Sequence, residues 1–448
     1  MSLRHTEPAA SGPGRAVPPS KPDGVAKGTL INLVTRLLGV AAVLGITAIT
    51  ARLSTEAQGT FAIFTSVEGV LLALFSGFGI ALARRLSHHG QEPTGLVSAM
   101  VLACLALGGA AAGLLWGLSA LGPTAYQWLW LLALAAPWLL IAPNLAGWWL
   151  GQGRMAPMAR VSLAPPCITL ALLLGLWAWG ALARSGVPVV LAAWVAAKVG
   201  VALALLWVFW RAARLGQPDF GALRLELPFI ATIGLTNLIG LLNYRVGLFV
   251  VERFLGLSAT GVYSIAVVVA ELLWFVSGSL TQAVYGRIGT PDAAQAAATT
   301  LRVVQLSVAS LLLAAPLLWL LAALVVPWAL GPAYADSLWP LALLLPGALL
   351  FGGASALSAY FTNHAGRPQV SAQVAATSLL LNTGLSFALV PVMGMAGAAL
   401  AASLSYLVGV LTLAWRFARH AGLPMTQLLW PQPQLRTDLS LLLVWRRR

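Results

Sequence analysis

Long apolar runs constrain this chain more than any other feature. Each is about 20 residues, the length at which a helix crosses a hydrocarbon core of ~30 Å. Inside a bilayer a backbone must satisfy its own N–H and C=O groups, so isolated runs of this length are helices. Twelve can be marked, at approximately 28–51, 59–82, 96–118, 128–150, 161–183, 187–210, 227–251, 261–284, 303–328, 339–361, 370–390 and 396–415. Composition agrees about the solvent. Charged residues are 8% of the 448 and hydrophobic ones 59%, whereas a soluble domain carries roughly 25% charged residues. Too little polar surface remains to coat a water-soluble enzyme, and a disordered chain or a peripheral membrane protein is excluded for the same reason. The expected fold class is an all-α polytopic membrane protein.

The net charge of +14 would suit nucleic acid, but the basic residues sit singly at the ends of apolar runs. That is the pattern of the positive-inside rule, and no nucleic-acid partner is expected. With the N-terminus in the cytoplasm, the cytoplasmic loops hold Arg84, Arg85, Arg154, Arg160, Arg211, Arg214, Arg224, Arg287, Arg302 and Arg367. The opposite loops hold only Arg52, Arg184 and Arg253. Both termini are therefore expected in the cytoplasm.

Residues 1–27 read as a disordered cytoplasmic tail without a signal peptide, and 416–448 as a second cytoplasmic tail. The apolar stretch LSLLLVW in the latter is too short to cross a bilayer. Between the tails, 28–210 and 227–415 each hold six spans, joined by a cytoplasmic linker at 211–226. The longest loops are that linker and the stretch near 285–302.

The halves echo one another. Span two begins Gly59-Thr60-Phe61 and contains Glu68; span eight begins Gly261-Val262-Tyr263 and contains Glu271. Each is preceded by a short loop with an arginine, Arg52 or Arg253. Six-helix halves of equal orientation imply a parallel repeat about the membrane normal, a transporter architecture with its site between the halves.

A few charges remain inside the spans: Arg36, Lys198, Arg245, Glu68 and Glu271. A charge near the bilayer centre costs at least ~2.5–3.5 kcal/mol on insertion scales, so such groups face a bundle interior or a wet cavity. Lys198 lies mid-span, too deep for comfortable snorkelling. It either faces a cavity or pairs structurally with Glu68 or Glu271. Arg36 shares a polar stripe with Asn32, Gly39, Thr47 and Thr50, and either lines a cavity or snorkels to the near interface. Arg245 has the same two readings. The two acids suit ion coupling, or equally a neutral hydrogen-bonded structural role. Among the 18 tryptophans, those near span ends, such as Trp148, Trp149, Trp207 and Trp210, read as an interfacial belt. Trp274, inside span eight, is the candidate for stacking on a sugar.

No enzyme site is visible. His5, His88, His89, His364 and His420 fall in tails or cytoplasmic loops, and Cys104 and Cys167 lie within apolar runs. No metal site, cofactor or nucleotide-binding P-loop is expected.

Three segments resemble the bacterial polysaccharide (O-antigen) flippases, the Wzx-type members of the multidrug/oligosaccharidyl-lipid/polysaccharide (MOP) exporter superfamily. They are NLVTRLLGVAAVLGITAITARLSTEAQGTFAIFTSVEGVLLALFSGFGIALAR, LLNYRVGLFVVERFLGLSATGVYSIAVVVAELLWFVSGSLTQAVYGRI, and GPAYADSLWPLALLLPGALLFGGASALSAYFTNHAGRPQ with the following LNTGLSFALVPVMGMAGAALAASLSY. The first is similar to the family's opening Asn and Arg and its AR-x-L turn. The second is similar to its NYR segment, but Gly247 stands where the family commonly has an acid. The resemblance implies a two-lobed, MATE-like flippase of the bacterial inner membrane. It would move an undecaprenyl-pyrophosphate-linked oligosaccharide to the outer leaflet, driven by an ion gradient. Glycosyltransferases and a glycan polymerase of the same pathway would be its partners, besides membrane lipids. Arg36, Lys198 and Arg245, with Asn32 and Trp274, would bind the substrate; Glu68 or Glu271 would couple the ion. The rival readings are another exporter of the superfamily carrying a cell-wall precursor or drugs, a major-facilitator transporter, a membrane polymerase or ligase, and a non-transporting scaffold.

Overall fold

The computed structural model describes residues 25–89 and 93–429. His5, most of the N-terminal tail, the LSLLLVW stretch and the side chains of His88 and His89 lie outside the described residues. Among the described residues there are helices and no strands. Eleven segments are long and apolar enough to cross a membrane. One of them, Phe220–Gln282, has 63 residues; at ~1.5 Å per residue it is three times too long for one crossing. It breaks at Gly256, whose φ of 79° and ψ of −178° are non-helical and open only to glycine without strain.

The crossings are therefore α1 (Ile31–Leu53), α2 (Thr55–Ser87), α3 (Thr94–Leu121), α4 (Leu129–Gly151), α5 (Met155–Ala178), α6 (Val187–Arg211), α7 (220–255), α8 (257–282), α9 (Ala293–Ala329), α10 (Pro332–His364), α11 (Pro368–Met393) and α12 (Met395–Ala421). All twelve expected spans are present.

Two expected loops are helical over half or more of their length. α7 begins at Phe220 and α9 at Ala293, so much of 211–226 and 285–302 is helical. Both starts are capped by an aspartate. Asp219 accepts from the Ala222 N–H at 2.9 Å, and Asp292 accepts from those of Ala294 and Gln295 at 3.0 and 3.2 Å. Capped helices run on past the apolar stretch, where hydropathy gives no signal. α5 ends earlier than expected, at Ala178, because Gly180 turns the chain with a φ of 68°.

The largest buried apolar cluster runs from Ile46 to Ile230 and draws on α1–α7. The second is built from Leu248 to Tyr406, joined by Ala51, and a third from Ile288 to Phe417. The tryptophan pair Trp148 and Trp149 belongs to the first cluster rather than to a lipid-facing belt. They are 0% and 7% exposed, each edge-on to Phe209 at 5.6 Å. Trp207 and Trp210 stay exposed.

A glycine-lined seam runs along α2 where it meets α7 and α8. A Cβ on Gly77 would lie 2.2 Å from Ile230 O, and one on Gly234 would lie 2.0 Å from Leu74 O. At the opposite end, a Cβ on Gly59 would lie 1.9 Å from Leu257 O and one on Gly261 2.0 Å from Thr55 O. Helix α2 thus runs backbone to backbone against α7 and then α8. The hydroxyls of Thr55 and Ser258 meet there at 2.7 Å. The glycines that open the two echoed spans also meet: a Cβ on Gly59 would lie 3.1 Å from Gly261 N, and one on Gly261 2.9 Å from Gly59 N. Equivalent positions of two repeats can touch only where the axis relating them passes.

Candidate functional site

Each in-span acid is engaged by one of the in-span cations. Glu68, on α2, is 2% exposed and forms an ion pair with Lys198 on α6. Its other oxygen accepts the Trp194 indole N–H at 2.6 Å. Trp194 stands one helical turn before Lys198, so its ring also lies under the lysine, 4.1 Å from Nζ to the centroid. Phe61 abuts the indole edge-on at 5.3 Å. A carboxylate, an ammonium and an aromatic face thus neutralise and solvate one another, which is how a charged group survives away from water. The pairing is not sealed: 20% of the Lys198 side chain remains accessible.

The second pair lies within the broken helix. Arg245 of α7 reaches Glu271 of α8 at 3.3 Å, and both side chains are 24% exposed. Glu271 Oε1 is buried without a hydrogen bond. The residue lines a cavity of about 20 Å³ together with Tyr244, Tyr263, Trp274, Asn382 and Tyr406. That volume holds about one water molecule. The arrangement can hold a small polar species beside Oε1, which the Arg245 guanidinium faces at 3.3 Å without hydrogen-bonding it.

Arg36 stands apart from both pairs. It is exposed on the first half of α1, and among the described residues no ion pair or hydrogen bond holds its guanidinium. Asn32, one turn earlier, is half-buried. Around them Leu33, Val34, Leu37 and Leu38 are exposed as well. This half of α1 leans on little else in the protein.

Trp274 is part of an aromatic cluster. Its ring lies 4.6 Å from Tyr244 and 5.5 Å from Phe351, and its indole N–H donates to Ala348 O at 3.1 Å. Two neighbouring rings and a tied N–H leave limited area for stacking.

Two polar centres stand outside the sequence's candidate site, although Asn243 opens the NYR segment. Asn243, 1% exposed, joins α7 to α11 and α12: its amide donates to Ser378 at 3.1 Å, while its carbonyl accepts from Asn382 at 2.9 Å and Tyr406 at 3.2 Å. Periodicity cannot distinguish such an asparagine from any other. Glu226, placed by hydropathy in the linker, is 5% exposed at the start of α7 and pairs with Arg84 at 3.1 Å and Arg85 at 3.6 Å. The basic loop pair of the sequence thus has an acid waiting for it across the seam. His364 and His420 pack about Tyr360, with His420 Nδ1 3.0 Å from its hydroxyl and His364 Nδ1 2.8 Å from Thr290 O. Among the described residues no cluster of His, Cys, Asp and Glu could hold a metal ion.

No family profile and no curated protein matches the sequence. The shape does find counterparts among solved structures. The chain is similar to an inward-facing multidrug-resistance MATE family transporter of the MOP superfamily (TM-score 0.71, 16% identity, 87% of this chain and 98% of that one). It is similar to a MOP superfamily transporter from Pyrococcus furiosus noted for the reverse polarity of its binding pocket (TM-score 0.61, 15% identity, 90% and 97%). It is also similar to the lipid II flippase MurJ in an inward closed conformation (TM-score 0.64, 13% identity, 90% and 89%). These chains are matched over nearly their whole length, and they are transporters and flippases rather than enzymes. With twelve crossings, a glycine-lined seam along α2, α7 and α8, and these counterparts, the chain has the fold of the MOP-superfamily transporters.

Proposed function

We propose that this protein is a flippase of the bacterial cytoplasmic membrane. It moves a polyprenyl-pyrophosphate-linked oligosaccharide from the inner to the outer leaflet by alternating access, and is not an enzyme. The observation that carries the reading is Arg36. An exposed guanidinium inside a membrane span, with no partner among the described residues, is costly unless an anion meets it. A pyrophosphate offers the paired oxygens that a guanidinium fork binds best. Lys198 and Arg245 stay partly accessible, so each can turn from its carboxylate toward a substrate phosphate. The loosely packed first half of α1 supports an opening through which the lipid tail stays in the bilayer. Two six-helix lobes, 28–210 and 227–415, would rock about the seam. Glu68 or Glu271 would carry the coupling ion. The glycan's glycosyltransferases and polymerase would be the functional neighbours.

Other cargoes suit the same fold, and drug exporters and a lipid II flippase both share it. Interior cations favour an anionic lipid over cationic drugs.

The test is flipping of a pyrophosphate-linked oligosaccharide in proteoliposomes. Arg36→Ala should lower the rate at least roughly tenfold, the loss expected from one charge-assisted contact, with an unchanged melting temperature because no partner is left behind. Full flipping by Arg36→Ala would sink the reading. Glu68→Gln and Glu271→Gln should separate the coupling site: the variant whose rate no longer follows the ion gradient identifies it.

A further inference from the structure

Arg52 belongs to the sequence's internal echo, and the transport site leaves it unused. It ends α1, and its guanidinium crosses to the far half of the chain. Nε donates to Ala329 O at 2.5 Å and Nη2 to Trp328 O at 2.9 Å. Those are the last two carbonyls of α9. The turn after α9 satisfies only the two before them, with Leu330 N donating to Val326 O and Gly331 N to Pro327 O. The fork therefore caps a helix of the other half, where a C-terminal cation is also favoured by the helix dipole.

The favour is returned. Tyr334, in the turn that opens α10, is 2% exposed. Its hydroxyl lies 3.2 Å from Ala51 O and 3.3 Å from Ser54 O, sharing one hydrogen between two carbonyls at the end of α1. Each half thus supplies the cap for a helix C-terminus of the other. Beside this exchange lie the Thr55–Ser258 contact and a buried bond from Gln58 Nε2 to Ser264 Oγ at 3.1 Å. Tyr126, between α3 and α4, donates to Glu252 of α7 at 3.3 Å.

We propose that Arg52 and Tyr334 form a latch that holds this end of the seam shut and releases it once per transport cycle. The chemistry suits a latch. When the halves part here, the freed carbonyls lie at helix ends, within reach of interfacial water that can replace the lost donors. A buried ion pair in the same place would strand a charge. The latch uses neither Glu68 nor Glu271, so it opens and closes without titrating a carboxylate. The proposal rests on the reading of the chain as an alternating-access transporter, but not on which substrate it carries.

The test uses the full chain in nanodiscs, where both faces meet reagent. Cys167 is replaced by Ser, Cys104 is kept, and Ser264→Cys reports on the seam. Ser264 is 2% exposed behind the latch; Cys104 is 1% exposed in the first apolar cluster and reports general loosening. Arg52→Ala and Tyr334→Phe should each raise maleimide labelling of Cys at 264 roughly tenfold, about the shift one such hydrogen bond gives to an equilibrium, with labelling of Cys104 unchanged. Arg52→Lys should fall between, because a lysine keeps the charge but not the two-pronged geometry. Unchanged labelling at 264 in both variants overturns the latch, and so does an equal rise at both cysteines. No substrate enters this readout, so loss of flipping in the Arg36 variant, or its absence, bears on the transport reading alone.

Discussion

At Lys198 the cost of a mid-membrane charge is met by a neighbour 130 positions away. The energy argument alone marks both Lys198 and Glu68 as unable to face lipid, and that much is legible in the sequence. Their pairing is legible only as one alternative, because nothing local relates α2 to α6 or chooses between Glu68 and Glu271. The partner changes what a substitution does. Removing Lys198 strands Glu68, which is 2% exposed, and breaking such a pair costs about 3 kcal/mol or more. Lys198→Met should therefore lower the melting temperature, and Lys198→Met with Glu68→Gln should regain most of the loss. Thermal unfolding of the purified single and double variants checks this. Equal stability of the single variant and the parent would mean that the pair holds nothing. Trp274 and Asn243 mark the other limit of residue-level reading. One attracts notice by its type and proves tied into an aromatic cluster; the other, a single asparagine in an apolar run, connects three helices.

At the scale of elements, hydropathy located every crossing but misjudged the ends. It counts apolar side chains, whereas helices stop where caps and left-handed glycines stop them, as at Asp219, Asp292 and Gly180. The glycines of the seam are the clearest consequence of packing without a large apolar drive, where backbones approach only if small residues line the contact. Gly59→Ala places a methyl 1.9 Å from a backbone oxygen, so α2 and α8 must separate. The variant should insert but unfold at a lower temperature than one carrying Ala at Gly113, where nothing lies within 4 Å. Parity between the two would contradict the tight crossing. The link from the α3–α4 turn to α7 is of another kind. Burial, and next the charge and hydrogen bond of Glu252, push the Tyr126 phenol up to about 12. With its folded value above the ordinary 10, its contribution is complete below pH 10 and fades only as pH climbs toward 12. Tyr126→Phe should accordingly shift stability by the same amount at pH 6 and pH 9.

For the whole molecule, the sequence's charge bias makes a claim about sidedness that packing does not touch. Reporter fusions after Gly122 and after Gln217 should report opposite sides of the membrane, the latter cytoplasmic. The same side for both would undo the proposed orientation. The echo between spans two and eight was legible as a faint pattern of Gly, Arg and Glu. What it could not convey is that the echoing segments touch.

That contact has a consequence in the terms of quaternary structure. Gly59 meets Gly261, Gly59 packs on Leu257, and Gly261 packs on Thr55, and Leu257 and Thr55 each stand four positions before their half's glycine. Where i touches j, the counterpart of j touches the counterpart of i, which is the signature of an isologous two-fold interface. This end of the seam is arranged like the contact surface of a homodimer whose subunits share a peptide chain through residues 212–219. A surface of that kind needs no covalent bond to find its register. Two polypeptides made by cutting at Gln217 and expressed together should therefore reassemble, co-purify and support flipping, each serving as the other's subunit.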